Sequence, residues 1–101
     1  MSDDPISVKI DPIFAELVPT FLERCKQNVV ECRDALQSAD LPAARRIGHA
    51  LSGTAGSFGF EELAAIGRDI EQAARAGDWA TVKELAERLD GHLSRLHPVY
   101  E

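Results

Sequence analysis

Apolar residues recur at intervals of three and four residues along four stretches of this chain, and turn signals separate each stretch from the next. This spacing places the apolar side chains on one face of an α-helix. Because the connections between the stretches are short, consecutive helices are expected to run in opposite directions. The pattern therefore predicts an all-α fold, an antiparallel up-down-up-down four-helix bundle, and no strand is expected anywhere.

Two prolines divide the N-terminal part of the chain into separate helices. Asp11 can cap a helix and Pro12 suits its first position, which predicts a short helix over 11–18. Pro19 fits the start of a helix better than its interior, so a longer helix is predicted over 19–38. We expect the short helix to lie across one end of the bundle as a lid.

Aspartates and glycines mark the ends of the helices that follow. Asp40 and Asp78 are expected to act as N-caps, and Gly59 can close a helix in the left-handed conformation. The clearest core-facing stripe lies on the fourth predicted helix and consists of Leu63, Ile66, Ile70, Ala73 and Ala74. The predicted helices run from Asp40 to Gly59, from Phe60 to Gly77 and from Asp78 to Pro98, so that a flexible leader (1–10) precedes one bundle domain (11–98).

Charge and hydropathy exclude several classes of partner. The 101 residues carry a formal net charge of −6, and an acidic surface repels the phosphate backbone of nucleic acids. No apolar stretch approaches the ~20 residues that a membrane span requires, and the N-terminus lacks the features of a signal peptide. We therefore expect a cytoplasmic protein that has neither nucleic acid nor membrane as a partner.

Three glycines lie inside the third predicted helix, around a single histidine. Each interior glycine costs about 1 kcal/mol relative to alanine, so Gly48, Gly53 and Gly56 need a specific explanation. His49 lies off the apolar stripe. Its row faces outward and consists of Arg45, His49, Ser52, Gly53 and Gly56. The missing side chain one turn beyond the histidine leaves room for a large partner to approach the imidazole. Gly48 is instead expected to allow close packing against another helix.

Other uses of the histidines and cysteines find less support in the sequence. A metal site would need further ligands at helical spacing, and none accompanies His49. Cys25 and Cys32 lie seven residues apart, which is about 10 Å along a helix and too far for a disulfide, so we expect reduced core thiols. His92 and His97 are predicted to be surface residues near a helix C-terminus.

The run from His49 to Gly59, HALSGTAGSFG, resembles the signature of histidine-containing phosphotransfer (Hpt) domains of two-component phosphorelays. That signature has a histidine, a leucine two residues on, usually a lysine three on, a glycine four on, a small pair and a closing glycine. The surrounding helix order extends the match loosely over the chain. This sequence departs from the pattern at one position, since Ser52 stands where a lysine is common.

The resemblance implies a phosphocarrier without kinase activity of its own. His49 would accept a phosphoryl group on Nε2 from the phospho-aspartate of a receiver domain and pass it to another receiver, and a hybrid sensor histidine kinase is a further partner. The receiver would contribute Mg²⁺, so no cofactor or metal is expected on this chain. Gly53 would leave space for the phosphoryl group, and Glu71 on the next helix would bond the Nδ1–H. Arg45 would replace part of the positive charge that Ser52 lacks.

Two other hypotheses stay open. The first is an Hpt-like docking module that binds a receiver or kinase and sequesters it without phosphotransfer, which the departure at Ser52 keeps in consideration. The second is a purely structural bundle in which His49 is incidental, and the interior glycines count against it because alanine would stabilise such a helix. The sequence also leaves open whether this is a free-standing protein or a domain of a larger regulator, and its oligomeric state.

Overall fold

Residues 4–101 are described in the computed structural model, and they form four α-helices, a short 3₁₀ helix and two short strands. The start of the predicted leader, residues 1–3, lies outside the described residues. In chain order the elements are β1 (Ile6–Ile10), the 3₁₀ helix (Pro12–Phe14), α1 (Val18–Ser38), α2 (Leu41–Phe58), α3 (Glu61–Arg75), α4 (Trp79–Arg95) and β2 (Leu96–Tyr100).

Side-chain caps start α2 and α4, as the sequence predicts. Asp40 accepts a hydrogen bond from the backbone N–H of Ala43 at 3.1 Å, and Asp78 accepts one from the N–H of Thr81 at 3.1 Å. Each aspartate thereby satisfies one of the N–H groups that the first turn of a helix leaves unpaired. Gly59 ends α2 at a φ of 93°, a left-handed conformation that glycine adopts without steric cost. These ends produce the short turns that set consecutive helices side by side.

The helices enclose one apolar core. The packed pairs are α1 with α2, α2 with α3, α3 with α4 and α4 with α1, which is the arrangement of a four-helix bundle. All the residues of the stripe predicted on α3 are buried, so the apolar spacing identified the inner face of that helix correctly. The antiparallel direction of the helices stays a prediction. No helix within residues 4–101 is long and apolar enough to cross a membrane.

The lid helix predicted over 11–18 does not form over that range. Before α1 begins at Val18, only Pro12–Phe14 is helical, as a single 3₁₀ turn. α1 instead takes Pro19 into its own first turn, where the missing N–H would have been unpaired in any case. Phe14 still packs on the bundle, because its ring meets that of Phe58 edge-on at a centroid distance of 5.1 Å.

The expectation of no strand is wrong, because segments near the two ends of the described chain pair as a parallel sheet. The register aligns Ile6 with Leu96 and Ile10 with Tyr100. Strands so far apart in sequence share no turn, and a turn is the strongest local signal of strand pairing. α4 accordingly ends before Pro98, which lies in β2 and not at the end of a helix.

Cys25 and Cys32 are buried free thiols on the inner face of α1, in agreement with the sequence. Burial raises the pKa of Cys25 to about 12. Burial, with a smaller contribution from the charge of Glu31, raises the pKa of Cys32 to about 11. Since the thiolate is the reactive form, both side chains act as small apolar groups of the core.

His92 is buried on α4, contrary to the prediction of a surface position, whereas His97 is exposed as predicted. Only 6% of His92 is exposed, and it lines a cavity together with residues of β1. The sequence analysis did not predict this strand and so missed a neighbour of this end of α4. Burial is the main cause that lowers the pKa of His92; Glu62 raises it, and Arg95 and Arg88 lower it further.

Replacing His92 with glutamine is expected to make folding stability less sensitive to acid. The pKa of an unfolded histidine is about 6.5 and that of folded His92 is lower, so the unfolded chain binds more protons between these values. In the wild type this contribution to the free energy of unfolding is intact above about pH 6.5 and is lost as the pH falls through the folded pKa.

Urea unfolding at about pH 7.5 and about pH 5.5 measures this effect. The loss of stability between the two conditions should be smaller in His92→Gln than in the wild type. His97→Gln is the matched control, since that histidine is exposed, and should behave as the wild type does. An equal loss in all three proteins would contradict the assignment of a buried, neutral His92.

Candidate functional site

His49 lies near the middle of α2, and its imidazole points away from the core. The side chain is 79% exposed, while Ile47 and Leu51 on the same helix are buried. The outward position predicted from the apolar stripe is therefore the position that the structure shows. A second macromolecule can reach this ring without any opening of the bundle.

Glu71 of α3 is the hydrogen-bond partner of the imidazole. Its Oε2 lies 3.2 Å from Nδ1 of His49, and its side chain is only 17% exposed. An ionised carboxylate can only accept a hydrogen bond, so this contact requires that Nδ1 carries the proton. Nε2 of the neutral ring then keeps its lone pair. The contact with Glu71 thereby distinguishes the two nitrogens of the ring.

Arg75 is a member of the site that the sequence analysis missed. Its guanidinium donates a hydrogen bond to the same oxygen of Glu71 at 3.2 Å, from one turn further along α3. The four-residue spacing of Glu71 and Arg75 was a visible signal, because it places both on one face of a helix. What the spacing could not show is how close this face of α3 comes to His49.

A shallow depression beside His49 is shared by the two helices. Its lining includes Arg45 and Pro42 from α2 together with Glu71 and Arg75 from α3. Arg45 therefore lies on the side of α2 that carries the histidine, where the sequence analysis put it. The depression is open to solvent and too shallow to enclose a small molecule. Its three arginines, Arg45, Arg46 and Arg75, suit a group with negative charge.

Gly53 and Gly56 leave open space on the exposed side of α2. A Cβ atom at either position would have no neighbouring heavy atom within 4 Å. No contact within residues 4–101 therefore demands glycine at these two positions. Gly53 follows His49 by one turn, so the surface next to the imidazole is bare.

Ser52 is half-buried and does not lie fully outward as the sequence analysis expected. Its backbone is close to Gly67, because a Cβ atom added to that glycine would lie 2.6 Å from the Ser52 nitrogen. The position that commonly holds lysine therefore borders the contact with α3. The serine hydroxyl brings no positive charge, and the cationic groups lining the depression beside His49 include Arg45 and Arg75.

Gly48 packs against the backbone of α3, as the sequence analysis predicted. A Cβ atom on Gly48 would lie 2.6 Å from the nitrogen of Glu71 and 2.7 Å from the carbonyl oxygen of Gly67. Real Cβ atoms essentially never come within 3.0 Å of a neighbour, so alanine does not fit here. Gly67 makes the reciprocal contact, and the sequence analysis missed it because its partner lies on another helix.

A comparison with protein families identifies the family of this chain. The family model of the Hpt domain matches residues 16–97 of the 101-residue chain. No curated protein and no solved structure gives a significant match. Hpt domains are phosphohistidine carriers of two-component phosphorelays and interact with receiver domains. Because the match covers most of its length, from just before α1 into β2, this chain belongs to the Hpt domain family.

Proposed function

We propose that this Hpt domain is a phosphorelay intermediate in which Nε2 of His49 accepts a phosphoryl group from the phospho-aspartate of a receiver domain and passes it to another receiver. The observation that carries the proposal is the hydrogen bond from Nδ1 to Glu71, because it leaves Nε2 as the nucleophilic nitrogen of an exposed side chain. A neutral imidazole is well populated near pH 7, so the nucleophile needs no further base.

The transfer is an in-line displacement at phosphorus. The lone pair of Nε2 forms the N–P bond while the bond between phosphorus and the aspartyl oxygen breaks, and the receiver carboxylate leaves with that electron pair. The imidazole gains positive charge as the new bond forms. Glu71, whose Oε2 lies 3.2 Å from Nδ1, stabilises that charge through the Nδ1 proton. The same steps in reverse deliver the phosphoryl group to the second receiver.

Arg45 and Arg75 supply the positive charge that a lysine at position 52 would otherwise bring. Both line the depression beside His49, and both belong to helices that the bundle holds in place. Phosphoryl transfer depends mainly on positioning and on neutralising charge at the phosphoryl oxygens, and an arginine suits that task because it offers several donors.

The partners that we propose are receiver domains, together with a hybrid sensor histidine kinase as a source of the phosphoryl group, acting in the cytoplasm. The receiver would contribute the Mg²⁺ used in transfer, and the Hpt domain would bring no cofactor. Within residues 4–101, no group of three or more His, Cys, Asp and Glu side chains is placed to hold a metal ion. The bare surface at Gly53 and Gly56 supports docking of a folded domain next to His49.

Replacing His49 with glutamine should abolish phosphoryl uptake. The wild type, incubated with receivers of its own organism that carry a ³²P-labelled phospho-aspartate, should acquire label that is lost in acid and stable in alkali. His97→Gln is the matched control, because it removes an exposed histidine far along the chain, and it should be labelled as the wild type is. Label on His49→Gln, or none on the wild type from any of these receivers, would refute the proposal.

Ser52 favours one alternative function, because the lysine that is common in the family is absent at this position, three residues after His49. In that alternative the domain docks on a receiver and sequesters it without transfer. Binding measured by calorimetry would then be equally strong for the wild type and His49→Ala, and neither protein would exchange phosphate.

Replacing Arg75 with glutamine should slow phosphoryl transfer by about two- to fivefold. This is the size expected from one exposed charge interaction, which contributes up to about 1 kcal/mol. Arg33→Gln is the matched control, since Arg33 pairs with Asp90 on the surface shared by α1 and α4. Single-turnover rates should show the difference at low ionic strength and a smaller one in high salt. Equal rates for Arg75→Gln and Arg33→Gln would contradict a role for the Arg75 charge.

A further inference from the structure

The helices α2 and α3 touch through their backbones at two reciprocal positions. A Cβ atom on Gly67 would lie 2.6 Å from the nitrogen of Ser52 and 2.8 Å from the carbonyl oxygen of Gly48. A Cβ atom on Gly48 would meet Gly67 and Glu71 at similar distances. All of these neighbours are backbone atoms, which cannot rotate aside as the end of a flexible side chain can.

These contacts lie next to the paired side chains of the site. Gly48 immediately precedes His49, and Gly67 precedes Glu71 by one turn of α3. Residues one turn apart lie on the same face of a helix, so Gly67 and Glu71 both face α2. The separation of the two helices at the glycines therefore determines where the Glu71 carboxylate sits relative to the imidazole.

The hydrogen bond between His49 and Glu71 has little tolerance for a change in that separation. Its length is 3.2 Å, and the interaction weakens as the two atoms move beyond about 3.5 Å. A methyl group on Gly67 would have to retreat from 2.6 Å to the 3.4 Å of an ordinary contact. That displacement of roughly 0.8 Å exceeds the 0.3 Å by which the hydrogen bond can lengthen.

We propose that Gly67 is a positioning residue for phosphotransfer: by letting α3 lie directly on α2, it holds the Glu71 carboxylate on Nδ1 of His49 and so keeps Nε2 as the nucleophile. The role rests on the proposed function, and it acts through Glu71, since glycine itself has no side chain to contribute. A glycine needed only for packing would affect stability alone and would leave the proton of the imidazole where it is.

The test is the tautomer of His49 in Gly67→Ala, measured by long-range ¹H–¹⁵N correlation at about pH 8, where imidazoles are neutral. In the wild type, His49 should favour the Nδ1–H form relative to the exposed His97, which is an internal reference in the same spectrum. In Gly67→Ala the Nδ1–H population of His49 should fall to that of His97. The transfer rate from a phosphorylated receiver should fall roughly tenfold.

Gly91→Ala is the matched control. Gly91 lies inside α4, and a Cβ atom there would have no neighbour within 4 Å, so alanine should raise the melting temperature and leave the His49 tautomer unchanged. Circular dichroism establishes that each variant is folded. If Gly67→Ala does not fold alone, it is examined in the Gly91→Ala background.

Two results would overturn the proposal. One is a wild-type His49 whose tautomer populations match those of His97. This measurement does not depend on the folding of any variant. The other is a folded Gly67→Ala that retains the wild-type tautomer. The tautomer measurement involves no receiver, so it tests the positioning role of Gly67 separately from the proposed function. A normal tautomer response without phosphoryl uptake refutes the proposed function alone, and normal uptake without the response refutes the positioning role alone.

Discussion

Direct contact between the backbones of α2 and α3, made possible by Gly48 and Gly67, is the constraint on which the site depends. Neither position accepts a Cβ atom, because its nearest neighbours are backbone atoms at 2.6–2.8 Å. Glycine inside a helix costs about 1 kcal/mol relative to alanine, so this pair lowers the intrinsic stability of both helices. In return, the contact brings the carboxylate of Glu71 within hydrogen-bonding distance of an imidazole that stays in solvent.

The chain of contacts from Arg75 through Glu71 to His49 concerns orientation more than stability. Exposed ion pairs contribute about 0.2–1 kcal/mol each, which is small beside the burial of the apolar core. The contacts nevertheless distinguish the two nitrogens of the ring, since one faces a carboxylate and the other is left with a lone pair. The two nitrogens of a single histidine on a helix surface thus differ in protonation, although no cleft surrounds the ring.

The sequence was most informative where structure depends on local patterns. The apolar spacing and the caps at Asp40 and Asp78 located the helices, and the run beginning at His49 led to the family and to Glu71. The two strands were missed because they pair across nearly the whole chain with no turn between them. The burial of His92 was also missed, since the strand that lines a cavity together with it was not predicted.

Gly67 and Arg75 show a different limit of sequence analysis. Neither residue stands out in the sequence of its own helix. Each becomes part of the site only because α3 lies close to α2. Gly48 was recognised because it lies beside the histidine, whereas its partner lies nineteen residues further along the chain. Contacts of this kind follow from tertiary packing, and residue spacing within one helix does not show how close the neighbouring helix comes.

If Glu71 holds the proton on Nδ1 of His49, Nε2 is the nitrogen that forms the bond to phosphorus. Correlation of ³¹P with ¹⁵N in the phosphorylated, ¹⁵N-labelled protein identifies the bonded nitrogen directly. We expect phosphorus to be attached to Nε2 of His49. Phosphorus attached to Nδ1, or to any other residue, would contradict that assignment.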